Sequence, residues 1–240
     1  MQTVTIISQK GAAGKTTLAI HLAAAGSAAG LVALVVDTDP QATACTWHSW
    51  RGDEDPDVID CAAHTLLPKK LQQAADLGAD LAVIDTPPHA DIMAREACRA
   101  ADLILIPCRP RAFDLDAVRT TAELAGASKK PAFLIFMAGP PRAPLIYAEA
   151  TQLVEHFGLR VAPVMLPERA AFHHSVGAGK TAPEIEPKGK AAEDVASLWA
   201  WVCERVNMPT HKLVSTERGK REQSIRRPQE GPAGTCAKRH

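Results

Sequence analysis

The chain has 240 residues, which suits one large α/β domain or two small ones. Apolar residues make up 46% and charged residues 22%, a balance that excludes collagen-like and wholly disordered chains. Neither a long apolar run nor a basic segment followed by an apolar one is present, so we expect no membrane span and no secretory signal.

Short apolar runs alternate with longer segments of helical periodicity along the chain. The predicted strands are Val4–Ser8, Val32–Val36, Leu81–Ile84, Leu103–Pro107, Phe133–Met137 and Val161–Leu166. The predicted helices are Lys15–Ala29, Leu66–Leu77, Ile92–Ala100, Asp114–Ala125, Ile146–Phe157 and Lys190–Asn207. Two segments rich in Gly, Pro or Lys, 139–144 and 177–189, are predicted loops. This alternation predicts an α/β fold with a doubly wound, mainly parallel sheet and helices on both faces.

The charge distribution divides the chain into two parts. The formal net charge is zero, but residues 210–240 carry eight Lys/Arg and three Asp/Glu, so the rest is slightly acidic. Apolar periodicity stops after Val206. We therefore expect one domain at 1–208 and a basic, disordered tail at 209–240. The tail could attract DNA phosphates irrespective of base sequence, or it could serve solubility alone.

A glycine-containing loop joins the first predicted strand to the first predicted helix. It reads Gln9-Lys10-Gly11-Ala12-Ala13-Gly14-Lys15-Thr16-Thr17. Backbone N–H groups of such a loop, together with the helix N-terminus, hold phosphate oxygens. Lys15 is expected to reach the β- and γ-phosphates, and the Thr16 hydroxyl to bind Mg²⁺. The usual phosphate-loop pattern has glycine at the position of Gln9, so the loop departs from it.

Two further strands end in aspartate. The second predicted strand runs into Asp37-Thr38-Asp39-Pro40-Gln41, and the third into Asp85-Thr86-Pro87-Pro88. Because ligands of doubly wound sheets bind beyond the carboxyl ends of the strands, these carboxylates are expected to face the phosphate loop. Asp85 is placed to hold a water of the Mg²⁺ shell. Asp39 is placed to orient an attacking water or to contact the metal shell.

Together these motifs resemble the ParA/MinD group of deviant Walker-A P-loop ATPases. Lys10–Thr17 looks like the deviant Walker A motif, and 81–88 looks like Walker B and switch II. Asp39-Pro40-Gln41 is similar to the partition branch, whose small members lack an N-terminal helix-turn-helix. The similarity spans about residues 3–207, including segments 167–172 and 189–194, and Asp114 matches the helix after a proline-containing segment.

The resemblance implies a nucleotide site that binds ATP or ADP with Mg²⁺. Lys10 matches a signature lysine that crosses an ATP-bound dimer to touch the partner's phosphates. The implied catalytic residues are Lys10, Lys15 and Asp39, and the implied metal residues are Thr16, Asp39 and Asp85. The implied nucleotide-binding residues are Lys10, Gly11, Ala12, Ala13, Gly14, Lys15, Thr16, Thr17 and Pro167.

The resemblance also implies a cellular role. ATP would form a sandwich homodimer that binds non-specific DNA, and a ParB-like partner would stimulate slow hydrolysis and release it. The protein would be cytoplasmic and nucleoid-associated, without a membrane, and would space a plasmid or other cargo. Candidate DNA contacts are Arg169, Lys180, Lys188 and Lys190.

Two residues depart from the family pattern. Ala12 stands where relatives usually have glycine, and alanine tolerates a positive φ poorly. Many relatives have asparagine after the strand that here ends at Met137, whereas this chain continues Ala138-Gly139. Recognition of the base would then rely on other contacts, such as backbone near Pro167.

Other functions on the same fold stay open at this point. A MinD-like membrane ATPase needs an amphipathic C-terminal helix, and the tail lacks its apolar stripe. A small-molecule ligase or kinase is disfavoured by Asp39-Pro40-Gln41, and an iron–sulfur reductase by the scattered cysteines. A weakly hydrolysing DNA-binding adaptor remains an alternative if Ala12 impairs turnover.

Overall fold

A seven-stranded, all-parallel sheet forms the centre of the protein, in a computed structural model that describes residues 1–52, 54–88 and 91–211. The strands are β1 Gln2–Ile6, β2 Ala33–Asp37, β3 Asp57–Asp60, β4 Leu81–Asp85, β5 Leu103–Cys108, β6 Ala132–Met137 and β7 Arg160–Leu166. Their order across the sheet is β3-β2-β4-β1-β5-β6-β7. The predicted fold class is confirmed.

Helices connect the strands and cover the sheet. They are α1 Lys15–Ala28, α2 Thr43–Arg51, α3 Leu67–Asp76, α4 Asp91–Ala100, α5 Ala112–Asp116, α6 Val118–Ala127, α7 Pro144–His156, α8 Ala170–Gly177, α9 Ala182–Ile185 and α10 Lys190–Arg205. A 3-10 turn, His64–Leu66, precedes α3. Among the helices of the described residues, none is long and apolar enough to cross a membrane.

Successive side chains of each strand point to opposite faces of the sheet and form a hydrophobic core on each face. On one face Val35 of β2 and Val83 of β4 pack against α1 and α10, whose buried residues include Leu18 and Trp199. On the other face Val36 packs with α3 and α4, and Ile106 with α4, α6 and α7. Because both faces are covered, the strands are apolar almost without interruption, which is the pattern that identified them in the sequence.

The strand order reverses at β1. Strands β2, β3 and β4 lie on one side of it, and β5, β6 and β7 lie on the other. Loops that leave neighbouring strands in opposite directions open a crevice at such a point, beyond the carboxyl ends of the strands. The phosphate loop follows β1 directly, so the topology places it in this crevice.

Several elements differ from the sequence prediction. Strand β3 and helices α2 and α8 were not predicted; β3 is a short edge strand, and α2 and α8 each bury only a few residues. The segment 114–125 forms two helices, α5 and α6, which meet at Ala117. The predicted loop 177–189 contains the short helix α9, which begins with a capping box between Thr181 and Glu184. Of the predicted tail 209–240, residues 212–240 lie outside the described residues.

His21 joins helix α1 to the start of α9. The ring is fully buried, and its Nε2 accepts a hydrogen bond of 3.0 Å from the Ala182 N–H. Its Nδ1 therefore carries the proton and donates to the Thr17 carbonyl at 2.8 Å. Burial lowers the pKa of His21 to about 4, with the Thr17 carbonyl and Glu184 acting in the opposite direction. The fold thus holds a neutral imidazole.

We expect this histidine to make the protein less stable in mild acid. Unfolded histidine has a pKa near 6.5, so its contribution to stability is full above that pH and is lost as the pH falls towards 4. The free energy of unfolding should drop by about 2 kcal/mol through this residue between pH 7 and pH 5. Urea denaturation of wild type and His21→Gln at both pH values measures the effect.

The exposed His174 provides the matched control, because His174→Gln removes a histidine that already meets solvent. His174→Gln should keep the wild-type pH dependence, whereas His21→Gln should flatten it. An unchanged pH dependence in His21→Gln would contradict this assignment.

Candidate functional site

A cleft of about 370 Å³ opens where the phosphate loop meets the carboxyl ends of the strands. The loop supplies one wall, and the segment after β7 together with α8 supplies another. Its lining residues are Gly11, Ala12, Ala13, Gly14, Lys15, Thr16, Thr17, Asp39, Thr43, Pro88, Arg109, Met137, Ala138, Leu166, Pro167, Glu168, Arg169, Phe172 and His173. Most of the predicted nucleotide residues, including Pro167, are therefore brought together; Lys10 and Asp85 are not among the lining residues.

Two residues of the phosphate loop have left-handed backbone. Gly14 has φ 91°, a conformation that favours glycine, and a Cβ there would lie 3.0 Å from the end of the Met137 side chain, which would have to shift slightly. Ala12 has φ 56°, a conformation that costs an alanine roughly 1 kcal/mol or more. The folded loop thus has the positive φ at position 12 that alanine tolerates poorly.

Thr16 and Asp85 form the contact between the loop and the sheet. The Thr16 hydroxyl donates to Asp85 Oδ2 at 2.6 Å, while the buried Asp85 Oδ1 has no hydrogen-bond partner among the described residues. Burial raises the pKa of Asp85 to about 7, against the Thr16 hydrogen bond, which lowers it. A divalent cation beside this carboxyl would favour its ionised form. A hydroxyl and the second oxygen of the Asp85 carboxylate are oxygen ligands that suit Mg²⁺, so the residues present fit this ion.

Lys15 is buried at the start of α1 beside two carboxylates. Burial lowers the pKa of its ammonium, and Asp85 and Asp39 oppose that shift. A buried cation at the mouth of the loop is stabilised further when an anion binds next to it. The phosphates of a nucleotide are anions of this kind, so the side chain is suited to the role that the sequence assigned to it.

Asp39 is held in place by its neighbour Asp37. Asp37 accepts hydrogen bonds from the N–H groups of Asp39 at 3.1 Å and Cys45 at 3.0 Å, and burial raises its pKa. Asp39 itself accepts from the Gln41 N–H at 2.9 Å and lines the cleft. Asp37 therefore supports the loop and the start of α2, while the Asp39 carboxylate faces the site.

Two threonines that the sequence analysis did not select lock the strand ends together. Thr38 donates to the carbonyl of Asp85 at 2.7 Å, and Thr86 donates to the carbonyl of Ile6 at 2.8 Å. Both hydroxyls are buried. Their signal in the sequence was weak, a threonine directly after each terminal aspartate. They fix β2, β4 and β1 in register beneath the phosphate loop.

Lys10 does not line its own cleft; it lies in an adjacent recess with Cys108 and Asp114. Its ammonium forms an ion pair with Asp114, and the lysine side chain is 41% exposed against 13% for the aspartate. The Lys10 ammonium thus lies outside the cleft, whereas Lys15, the other lysine of the loop, lines it.

The four candidate DNA residues fall into two groups. Lys180, Lys188 and Lys190 are exposed on the segment from 178 to the start of α10, where Lys190 pairs with Glu193 at 2.7 Å. Arg169 instead caps α8, lines the cleft and pairs with Asp194, a hydrogen bond that raises its pKa. Any DNA contact by Arg169 would require that pair to open.

The segment that carries these lysines is fastened to α2. Trp47 donates from its indole to the Lys180 carbonyl at 3.3 Å, and Arg51 donates to the Gly179 carbonyl at 3.1 Å and pairs with Glu184. A Cβ on Gly179 would lie 2.5 Å from the Trp50 backbone. Because α2 follows the Asp39 loop directly, the basic segment is connected to the cleft through one short helix.

The match to known families follows this geometry. A family model described as the CobQ/CobB/MinD/ParA nucleotide binding domain matches residues 4–182, about three quarters of the chain. The chain belongs to this family. Its ParA/MinD branch comprises ATPases, which agrees with the phosphate loop, Thr16 and Asp85 lying together at the switch point of the sheet.

Three members of the family illustrate what it contains. The maintenance of carboxysome distribution protein A of Halothiobacillus neapolitanus is 29% identical over 199 residues, covering 80% of this chain and 91% of that protein. MinD of Pyrococcus horikoshii complexed with Mg-ADP has a TM-score of 0.64 at 16% identity, covering 85% and 98% of the two chains. The ParA of pNOB8 bound to nonspecific DNA has a TM-score of 0.63 at 16% identity, covering 86% and 98%. The two solved structures show that the fold is shared.

We expect Thr16 and Asp85 to determine how strongly Mg²⁺ promotes nucleotide binding. Thr16→Ala or Asp85→Asn should weaken the Mg²⁺-dependent part of ATP affinity by about tenfold or more, because each removes an oxygen from the metal side of the site. Titration of a fluorescent ATP analogue with Mg²⁺ and with EDTA separates the two contributions.

Thr16→Ser keeps the hydroxyl and serves as the control, so it should retain most of the Mg²⁺ effect. Equal loss of affinity in Mg²⁺ and in EDTA would show that these residues act on the fold of the loop and not on the metal.

Proposed function

We propose that this protein is an ATP-dependent positioning ATPase. Two ATP-bound copies would form a sandwich dimer that binds DNA without sequence preference, and hydrolysis stimulated by a ParB-like adaptor would release it. The cargo would be a plasmid or another large body. Support comes from the family, from the carboxysome distribution relative and from the fold shared with a DNA-bound ParA.

The placement of Lys10 carries this proposal. Its ammonium lies outside the cleft of its own chain and is partly exposed, so it is accessible to a second molecule facing the loop. A loop lysine that served its own nucleotide would line the cleft, as Lys15 does. In a dimer Lys10 would leave Asp114 and neutralise phosphate charge across the interface, which also makes dimer formation depend on ATP.

The chemistry would rest on positioning and charge. Bound Mg²⁺-ATP would supply the phosphoanhydride bond to be broken. Lys15 would bind the β- and γ-phosphate oxygens, Thr16 and Asp85 would hold the metal side, and Asp39 would orient the attacking water. Hydrolysis would be slow until a partner contacts this face, because Asp39 is partly exposed to solvent in a single chain.

DNA binding is assigned to the exposed lysines beside α9. Lys180, Lys188 and Lys190 would contact phosphates, and the basic residues between 212 and 240 would add long-range attraction. The bonds from Trp47 and Arg51 to this segment would pass a change at Asp39 to the lysines through α2. The protein would then act in the cytoplasm, on the nucleoid, without a membrane.

The central test is DNA binding in each nucleotide state. We expect the wild type to bind a labelled duplex of arbitrary sequence with ATP, and to bind far less with ADP or without nucleotide. Lys10→Ala should lose both ATP-dependent DNA binding and ATP-dependent dimer formation, followed by fluorescence anisotropy and light scattering. Lys129→Ala removes an equally charged, exposed lysine elsewhere and should behave as the wild type. ATP-dependent DNA binding that survives in Lys10→Ala would refute the proposed dimer.

Removal of Asp39 should separate binding from turnover. Asp39→Ala should keep ATP affinity, because Lys15 and the loop amides remain, while hydrolysis should fall roughly a hundredfold. The variant should accumulate on DNA in ATP, since release requires hydrolysis. A malachite green phosphate assay beside the anisotropy assay measures both, and rapid release from DNA in ATP would contradict the role given to Asp39.

The lysines beside α9 should govern the salt dependence of DNA binding. In Lys180→Gln/Lys188→Gln the slope of log affinity against log salt should fall by about 1 for each lysine, irrespective of DNA sequence. Lys69→Gln/Lys129→Gln alters two exposed lysines on the opposite face of the sheet and serves as the charge-matched control. Equal slopes in the two double variants would move the DNA contacts elsewhere.

A further inference from the structure

Arg109 at the end of β5 touches the phosphate loop of the same chain. Its Nη2 donates a hydrogen bond of 2.8 Å to the carbonyl of Ala12, although 97 residues separate the two in the sequence. The contact exists because β5 lies next to β1 in the sheet. In the sequence Arg109 belongs to the segment 106–110, which resembles the family's proline-containing segment, and that resemblance gives Arg109 no role.

Ala12 is the residue of the loop whose backbone most needs support. It has φ 56° without the conformational freedom of glycine, and it is exposed, so no surrounding core holds it there. A peptide plane in such a position can rotate to a more favourable conformation, which would turn its neighbouring amides away from the phosphate position. A charged donor on the Ala12 carbonyl opposes that rotation, because hydrogen bonds to charged groups are stronger than neutral ones.

The backbone of Arg109 is itself held firmly. Pro110 follows it, and that ring packs so closely on Gly139 that a Cβ there would lie 2.6 Å from Pro110 Cγ. The Cys108 thiol donates to the Arg109 carbonyl at 3.2 Å. Five residues further along the chain, Asp114 holds Lys10. The segment from 109 to 114 therefore contacts the phosphate loop at two residues, Ala12 and Lys10.

We propose that Arg109 is a positioning residue that holds the phosphate loop in its nucleotide-binding backbone and compensates for alanine at position 12. The proposal rests on the nucleotide site of the proposed function and adds a residue to it. Arg109 acts on the loop and so affects every nucleotide whose β-phosphate the loop holds. It differs in this from a side chain that contacts the γ-phosphate, which would distinguish ATP from ADP.

A double-mutant cycle between positions 109 and 12 tests the proposal. Arg109→Met should weaken binding of fluorescent ATP and ADP analogues by about tenfold when position 12 is alanine. In the Ala12→Gly background the same substitution should cost less than about threefold, because glycine adopts the positive φ without help. Ala12→Gly alone should bind more tightly than the wild type, because glycine adopts the positive φ without strain. In steady-state assays Arg109→Met should raise KM with little change in kcat.

Two variants control for charge and for shape. Arg111→Met removes the same charge from an exposed neighbour and should leave both affinities unchanged. Arg109→Lys keeps one cationic donor and should restore part of the affinity. Equal losses in the two backgrounds, or a loss for ATP alone, would overturn the proposal.

Hydrogen exchange of the loop amides without nucleotide decides the proposal independently of ATP binding. Residues 10–14 should exchange faster in Arg109→Met than in the wild type, and Ala12→Gly/Arg109→Met should return towards the wild-type rate. Unchanged exchange in Arg109→Met overturns the proposal. A wild type that binds neither ATP nor ADP would instead refute the proposed function, and the exchange data would still decide the role of Arg109.

Discussion

The hydrogen bond between Thr16 and Asp85 is the contact on which the site depends. It joins the first turn of α1 to the end of β4 across the crevice where the strand order reverses. A buried carboxylate is tolerated there because Thr16 donates to it and Lys15 lies close, and among the described residues one of its oxygens has no partner. The threonines after β2 and β4 reinforce the same edge of the sheet. The proposed hydrolysis, which relies on positioning, would need a frame of this stiffness beneath the phosphates.

The parts of the fold that the sequence predicted are those buried on both sides. Strands β2, β4 and β5 are continuous apolar runs because helices cover both faces, and their predicted bounds lie within one residue of the structure. Strand β3 has only two apolar residues and sits at the edge of the sheet, so composition could not reveal it. Helix α9 lies among glycines, prolines and lysines, which hid its capping box, a local pattern, and its bond to His21 is a tertiary contact that local pattern does not reveal.

The same division holds within the site. The phosphate loop is one contiguous motif, and Asp39 and Asp85 each belong to a short motif at the end of a strand. The sequence therefore predicted that these residues lie together. The pairing of Lys10 with Asp114 and the contact of Arg109 with Ala12 arise only because β5 pairs with β1. Arg169 illustrates the opposite case: its charge indicated a surface contact, but the fold gives it Asp194 as a partner. Long-range partners of charged side chains cannot be obtained from local pattern.

The close contact of Gly179 with α2 limits which segments this protein could exchange with its relatives. The basic segment rests on the backbone of Trp50 and Arg51, where no side chain fits, and the Arg51 side chain bonds to both the Gly179 carbonyl and Glu184 of that segment. A chimera that takes residues 178–190 from a relative but keeps α2 of this protein would therefore lose the fit between the two. The exchangeable module is α2 together with that segment, two stretches far apart in the gene but one piece in the fold. Divergence of this basic surface among such proteins should accordingly leave paired changes at both places.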